Sequence, residues 1–200
     1  MNVFVLCTGR CGSVTFSKAC EHFTNFSVGH ESRSEYLWPS RLAFPRNHIE
    51  VDLRLAWYPG LLERVYGKQA FYVHLRRDAS EVAESYRKKF ARQGKGMARA
   101  WYEIMRRPIA AHVPKTIDDM VDVINMNIEW YLRDKEYMRF DIETAYQQFP
   151  DFCEAIGAKG DLDAARREFL NKYNAFKEED KDIPLPPLPM PYKPPKPPTL

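Results

Sequence analysis

The chain predicts a three-layer α/β fold, with a central, mainly parallel sheet and helices on both faces, and three observations carry that expectation. Two short apolar runs, Asn2 to Cys7 and Ala70 to Leu75, have the composition of strands buried on both faces. Each is followed by a tight turn and then by an apolar stripe at helical spacing. The 200 residues are 44% hydrophobic and 28% charged, the balance of a globular domain with enough chain to bury a core.

Taken in order, Asn2 to Cys7 reads as the first strand, and Ser13 opens or caps a helix whose apolar face is Val14, Ala19, Cys20 and Phe23. Phe26 to Gly29 is a short strand candidate. Leu55 to Tyr66 is helical in pattern, with Pro59 marking its first turn or a kink. After the strand ending at Leu75, a helix from about Ser80 presents Val82, Tyr86 and Phe90 on one side. The longest helix is Thr116 to Lys135, where Ile117, Met120, Val121, Ile124, Ile128, Tyr131 and Leu132 recur. Tyr137 to Ile142 returns a strand, and Thr144 to Ile156 and Leu162 to Tyr173 close the pattern as helices. Nine of the fifteen prolines fall between Pro184 and Pro198, after the charged run from Lys177 to Asp182. The expected organisation is therefore a domain over 1–178 and a polyproline-II tail over 179–200, either a spacer, a strap on the domain's own surface, or a ligand for a proline-binding partner.

Several classes are excluded at this level. Lys and Arg number 30 against 27 Asp and Glu, and no basic stripe of the kind a nucleic-acid surface needs is visible. No apolar run approaches the length that crosses a bilayer, and no basic segment precedes the first apolar run. The four cysteines, Cys7, Cys11, Cys20 and Cys153, lack paired metal spacing, so reduced thiols in a cytoplasmic setting are expected.

The segment from Cys7 to Phe16 carries the chemistry. A small-residue loop leading from a strand into a helix aims backbone N–H groups and the positive end of the helix at one point, which makes an anion site. A nucleoside-triphosphate loop would need Lys before Ser13 and an upstream Gly that are absent. A phosphatase loop would need Arg six positions after its cysteine, where Ser13 and Ser17 stand. What remains, Arg10-Cys11-Gly12-Ser13, resembles the 5′-phosphosulfate loop of the sulfotransferase family that uses 3′-phosphoadenosine 5′-phosphosulfate (PAPS), with Cys in place of Ser. A second match is Arg77-Asp78 followed by Ser85, which resembles in order and spacing that family's 3′-phosphate site, with Ala79 where a proline is usual.

The resemblance implies a P-loop-like fold over residues 2 to about 175 and a soluble enzyme moving a sulfuryl group from PAPS to an acceptor hydroxyl, or an amine, with a carbohydrate the first expectation. It implies donor contacts from Arg10, Cys11, Gly12, Ser13, Val14, Thr15, Arg77 and Ser85, with Arg10 also meeting charge on the leaving phosphate, and no metal. Two family features lack a counterpart: an adenine-stacking aromatic, where Thr15 stands, and a late Arg-Lys-Gly segment, since Arg92 to Gly96 comes too early. The general base follows from the resemblance as Glu31, at the end of the second strand. His30, His48 and the pair Glu50 and Asp52 remain alternatives, each with a structural role as its competitor, and His74 reads as a core residue. Trp57, Tyr58 and Trp101 are either pocket-lining or core. The rival function is a non-catalytic nucleotide- or phosphate-binding module whose proline-rich tail recruits a partner.

Overall fold

The computed structural model describes residues 1–105, 113–171 and 173. The tail assigned to 179–200 lies outside the described residues. Contacts group the chain into two compact units, one formed by Met1–Asp78 with Val123–Phe176, the other containing Ala79–Asp122.

Among the described residues the first unit holds five strands: β1 (Val3–Cys7), β2 (Ser27–His30), β3 (His48–Val51), β4 (Phe71–Arg76) and β5 (Tyr137–Asp141). All neighbouring pairs are parallel and the order is β2-β3-β1-β4-β5. The sequence explains the positions. All five residues of β1 are buried, as are Phe71 to Leu75 of β4, and these two sit side by side in the middle, Val3 opposite Phe71 and Cys7 opposite Leu75. β2 and β5 carry exposed residues and lie at the edges. The chain runs outward from β1 to β2 and then crosses to the far side of β1 at β4, so the direction of winding reverses between β1 and β4. In an open parallel sheet the crevice beyond the strand ends at such a reversal is where ligands bind.

The helices are α1 (Ser13–Cys20), α2 (Pro59–Val65), α3 (Ala79–Gln93), α4 (Met97–Met105), α5 (Val113–Leu132), α6 (Ala145–Ile156) and α7 (Leu162–Arg167). Pro59 is the first residue of α2, where its missing N–H costs nothing; the predicted helix from Leu55 is there broken into a 3-10 segment, Leu53–Trp57, and α2. None of the described helices is long and apolar enough to cross a membrane.

A phenylalanine cluster joins α1, β5 and α6: Phe16 meets Phe140 edge-on at 5.0 Å and Phe152 at 5.1 Å, and Phe23 stacks on Phe149. α1 is thus clamped from the side of the last strand. In the second unit Val82, Tyr86 and Phe90 are buried as the periodicity of α3 predicts, Phe90 meets Tyr102 of α4 at 5.6 Å, and Arg87 pairs with Asp118 of α5.

Two elements escape the sequence pattern. β3 reads His-Ile-Glu-Val, an alternation that places the polar residues on one face of an extended segment, where exposure would be expected, yet all four residues are buried. Its polar members satisfy each other, with His48 Nε2 2.9 Å from Glu50 Oε2. α4 is short and follows Gly94 and Gly96, both at positive φ, and its stripe is only Ala98, Trp101 and Tyr102.

Candidate anion site at the strand ends

The loop after β1 is built from left-handed residues. Gly9, Arg10 and Gly12 have φ of 75°, 60° and 87°. Successive turns of this kind bring backbone N–H groups onto one side as a concave anion-binding surface. Gly12 is also the N-cap of α1, with no side-chain cap. Glycine is required here twice over, because an added Cβ would stand 2.6 Å from the Ile142 side chain as well as at an unfavourable φ. The first intrahelical bond is Phe16 N–H to the Gly12 carbonyl at 3.0 Å, so the amides of Ser13, Val14 and Thr15 belong to the turn with no partner inside the helix. Val14 is half-buried and Thr15 buried on that turn.

Cys11 takes some of this donor capacity itself. It is fully buried, as is Cys7, and the two thiols are hydrogen-bonded. That bond from Cys7, with amides of Cys11, Gly9 and Ser13, draws the Cys11 thiol below its ordinary range although burial opposes it. Cys7 moves well above its range through the same bond and burial. Cys20 is pushed up by burial and Cys153 to about 12 for the same reason; all four thiols are free.

Arg77 follows β4, next to the loop in the sheet. Its Nη1 donates to the Arg10 carbonyl at 3.4 Å, so the loop and Arg77, the first residue of the second motif, meet in space. The turn behind them is tied by the Asp78 N–H donating to Glu143 Oε1 at 2.9 Å. Ser85 lies on α3 in the second unit and is buried.

On the other side of β1, His30 ends β2 and its Nε2 is 3.2 Å from the Ser13 hydroxyl. Glu31 follows with φ of 53°, a costly conformation for a residue with a Cβ, held by its N–H to the Val51 carbonyl. Its carboxylate pairs with Arg54 Nη1 at 2.5 Å. Asp52 pairs with Arg41, both buried, and also accepts the Arg54 N–H at 2.8 Å. Burial outweighs these partners and raises the Asp52 carboxyl. For Glu50 the balance is opposite: burial alone would raise it, but His48, the Ser32 hydroxyl at 2.6 Å and the Ser32 N–H at 2.8 Å bring it below its ordinary value.

The strand ends thus bring together Arg10, Cys11, Gly12, Ser13, Val14, Thr15 and Arg77, with His30 on the Ser13 hydroxyl. Glu31 stands one residue beyond, committed to Arg54. His48 is in a buried network, between Ser27 Oγ at 2.9 Å and Glu50, stacked on Phe44. His74 lies inside β4, bonded to Asn125 and lowered to about 4 chiefly by burial. Trp101 is buried on α4, while Tyr58 is exposed at the start of α2 with Arg41 5.9 Å from its ring. Sequence reasoning did not single out Arg41, Arg54, Ile142 or Glu143, whose roles follow from strand order and carry no local motif. No protein-family model matches the chain, and no curated protein matches it.

Proposed function

We propose that the chain is a PAPS-dependent sulfotransferase acting on an acceptor hydroxyl, a sugar by preference, or on an amine. The observation that carries the reading is the contact between Arg77 and the Arg10 carbonyl, because it gathers both anion-directed segments at the reversal point of a parallel sheet. The donor supplies an activated sulfuryl group on a phosphate leaving group. Arg10 and the amides from Gly12 to Thr15 are suited to that phosphate, and Arg10 to the charge that grows on its bridging oxygen as the S–O bond breaks. Arg77 is suited to a second phosphate beside the loop. Glu31 receives the proton of the acceptor hydroxyl as the new S–O bond forms. Such a site works by charge placement from arginines and amides, and none of these steps calls on a metal ion. The four free thiols support a reducing, cytoplasmic location.

Calorimetry tests the reading. The protein should bind 3′-phosphoadenosine 5′-phosphate more tightly than ATP with Mg²⁺, and Arg77→Ala should weaken that binding by about 1.5–3 kcal/mol, the scale of a charge-assisted hydrogen bond. Preference for ATP would overturn it. A second reading, a phosphate-binding module without turnover that recruits partners through its proline-rich segment, is favoured by one observation, the ion pair that occupies Glu31. Binding of the nucleotide without transfer to any acceptor would establish that alternative.

A further inference from the structure

The ion pair on Glu31 has unequal partners. Glu31 is fixed by a left-handed backbone and by its N–H bond to Val51, whereas Arg54 is anchored at its own N–H, on Asp52, and its side chain is 42% exposed. Arg54 Nη1 also stands 3.8 Å from Asp52 Oδ1, but Asp52 is already neutralised by buried Arg41. The charges that face Glu31 are therefore Arg54, then the Arg41–Asp52 pair behind it, with His30 as its chain neighbour. Arg41 contributes more than neutrality: its Nη1 is buried and has no hydrogen-bond partner among the described residues, so this side of the cluster holds unspent donor capacity. Both partners keep solvent contact, Arg54 at 42% and Glu31 at 28%, so water screens the pair and moving the guanidinium from a side-chain carboxylate to a ligand oxyanion is a small net change.

Resting on the sulfuryl-transfer reading, we infer that Arg54 selects acceptors that carry an oxyanion, a carboxylate or a sulfate, close to the reacting hydroxyl. Such a group draws the Arg54 guanidinium off Glu31 and leaves the carboxylate free. The acceptor oxygen then forms its bond to sulfur, the bond from sulfur to the phosphate oxygen breaks with its electron pair going to the phosphate, and the acceptor proton passes to Glu31. A neutral acceptor leaves the pair closed and meets a base already engaged by a cation. Arg54 is thus a specificity and positioning residue, acting on the proton transfer through Glu31.

The test compares matched acceptors, methyl glucuronoside against methyl glucoside and 4-hydroxyphenylacetate against 4-hydroxyphenylethanol, in sulfuryl transfer by the full chain. The two pairs separate a sugar source of the anion from a phenolic one. Wild type should favour the anionic member of at least one pair by about tenfold or more in kcat/KM, the size of one charge-assisted contact. In Arg54→Gln that ratio should collapse, through a higher KM for the anionic acceptor and a higher kcat for the neutral one, and Arg54→Lys should restore part of it. Loss of a guanidinium that merely braced the fold would lower both members alike and leave the ratio standing. An unchanged ratio in Arg54→Gln, or a wild type indifferent to the anion, overturns the inference while transfer itself stands. Failure of 3′-phosphoadenosine 5′-phosphate to bind instead overturns the sulfuryl-transfer reading. Calorimetric titration of the two carboxylates then judges Arg54 alone: weaker binding to Arg54→Gln supports its oxyanion contact, and equal binding overturns it.

Discussion

On the proposed sulfuryl-transfer reading, the residue that decides whether the site turns over is Glu31. Its strained backbone is the kind of feature that structures retain where geometry matters more than local stability. Glu31→Gln keeps shape and hydrogen bonding but removes basicity, so transfer should fall by about 10²–10⁴-fold with nucleotide affinity intact, while His30→Ala should lose about tenfold or less. The reverse result in steady-state assays would move the base to His30, for which the 3.2 Å contact with Ser13 is the structural reason. His74 makes a prediction of another kind. Burial lowers its pKa from 6.5 to about 4, so between those values the unfolded chain holds a proton that the folded chain does not. Stability should therefore rise with pH through that window and fall as the pH drops, by roughly 2 kcal/mol between pH 7 and pH 5 from this residue. Urea unfolding at both pH values reads it, and His74→Gln should flatten the dependence whatever its effect at pH 7.

At the scale of elements, the loop after β1 was legible because its chemistry is local. Small residues, one arginine and a helix start lie consecutive in the chain, and the left-handed φ at Gly9 and Gly12 follows from that composition, while Arg10 adopts it against its Cβ. The burial of the polar face of β3 was not legible, because it depends on His48 and Glu50 bonding to each other and to Ser27 and Ser32, which are remote in sequence. The same holds for Arg54 on Glu31 and His30 on Ser13, which need the order of strands to be known. The turn before α7 is likewise held by a segment remote in sequence, through backbone and the Asn25 side chain. Gly160 bridges to Phe23, Lys159 accepts from the Thr24 N–H at 2.7 Å, and Asn25 bonds both Gly157 and Lys159. A Cβ on Gly160 would run into the His22 carbonyl oxygen, and its φ is 140°. Gly160→Ala should cost about 1–3 kcal/mol, seen as a lower urea midpoint with an unchanged slope, because backbone on one side and strain on the other leave no cheap relaxation.

At the scale of the molecule, the alternation of strand and helix stated the layers but not the order of the sheet. Apolar runs identify β1 and β4 as interior strands; nothing in them says that they are neighbours. That adjacency, with Val3 opposite both Ile49 and Phe71, is what brings Arg77 beside the loop after β1. It also has a consequence in time. On the ribosome, β1 gains β3 on one edge once the chain reaches Val51, but its other edge stays unpaired until the chain has been extended through Arg76. Parallel pairing across such distances closes large loops before any contact rewards them. A central strand of the finished sheet therefore keeps one edge open during synthesis, and a chain interrupted before β4 presents that edge of Val-Phe-Val-Leu-Cys to chaperones or to aggregation.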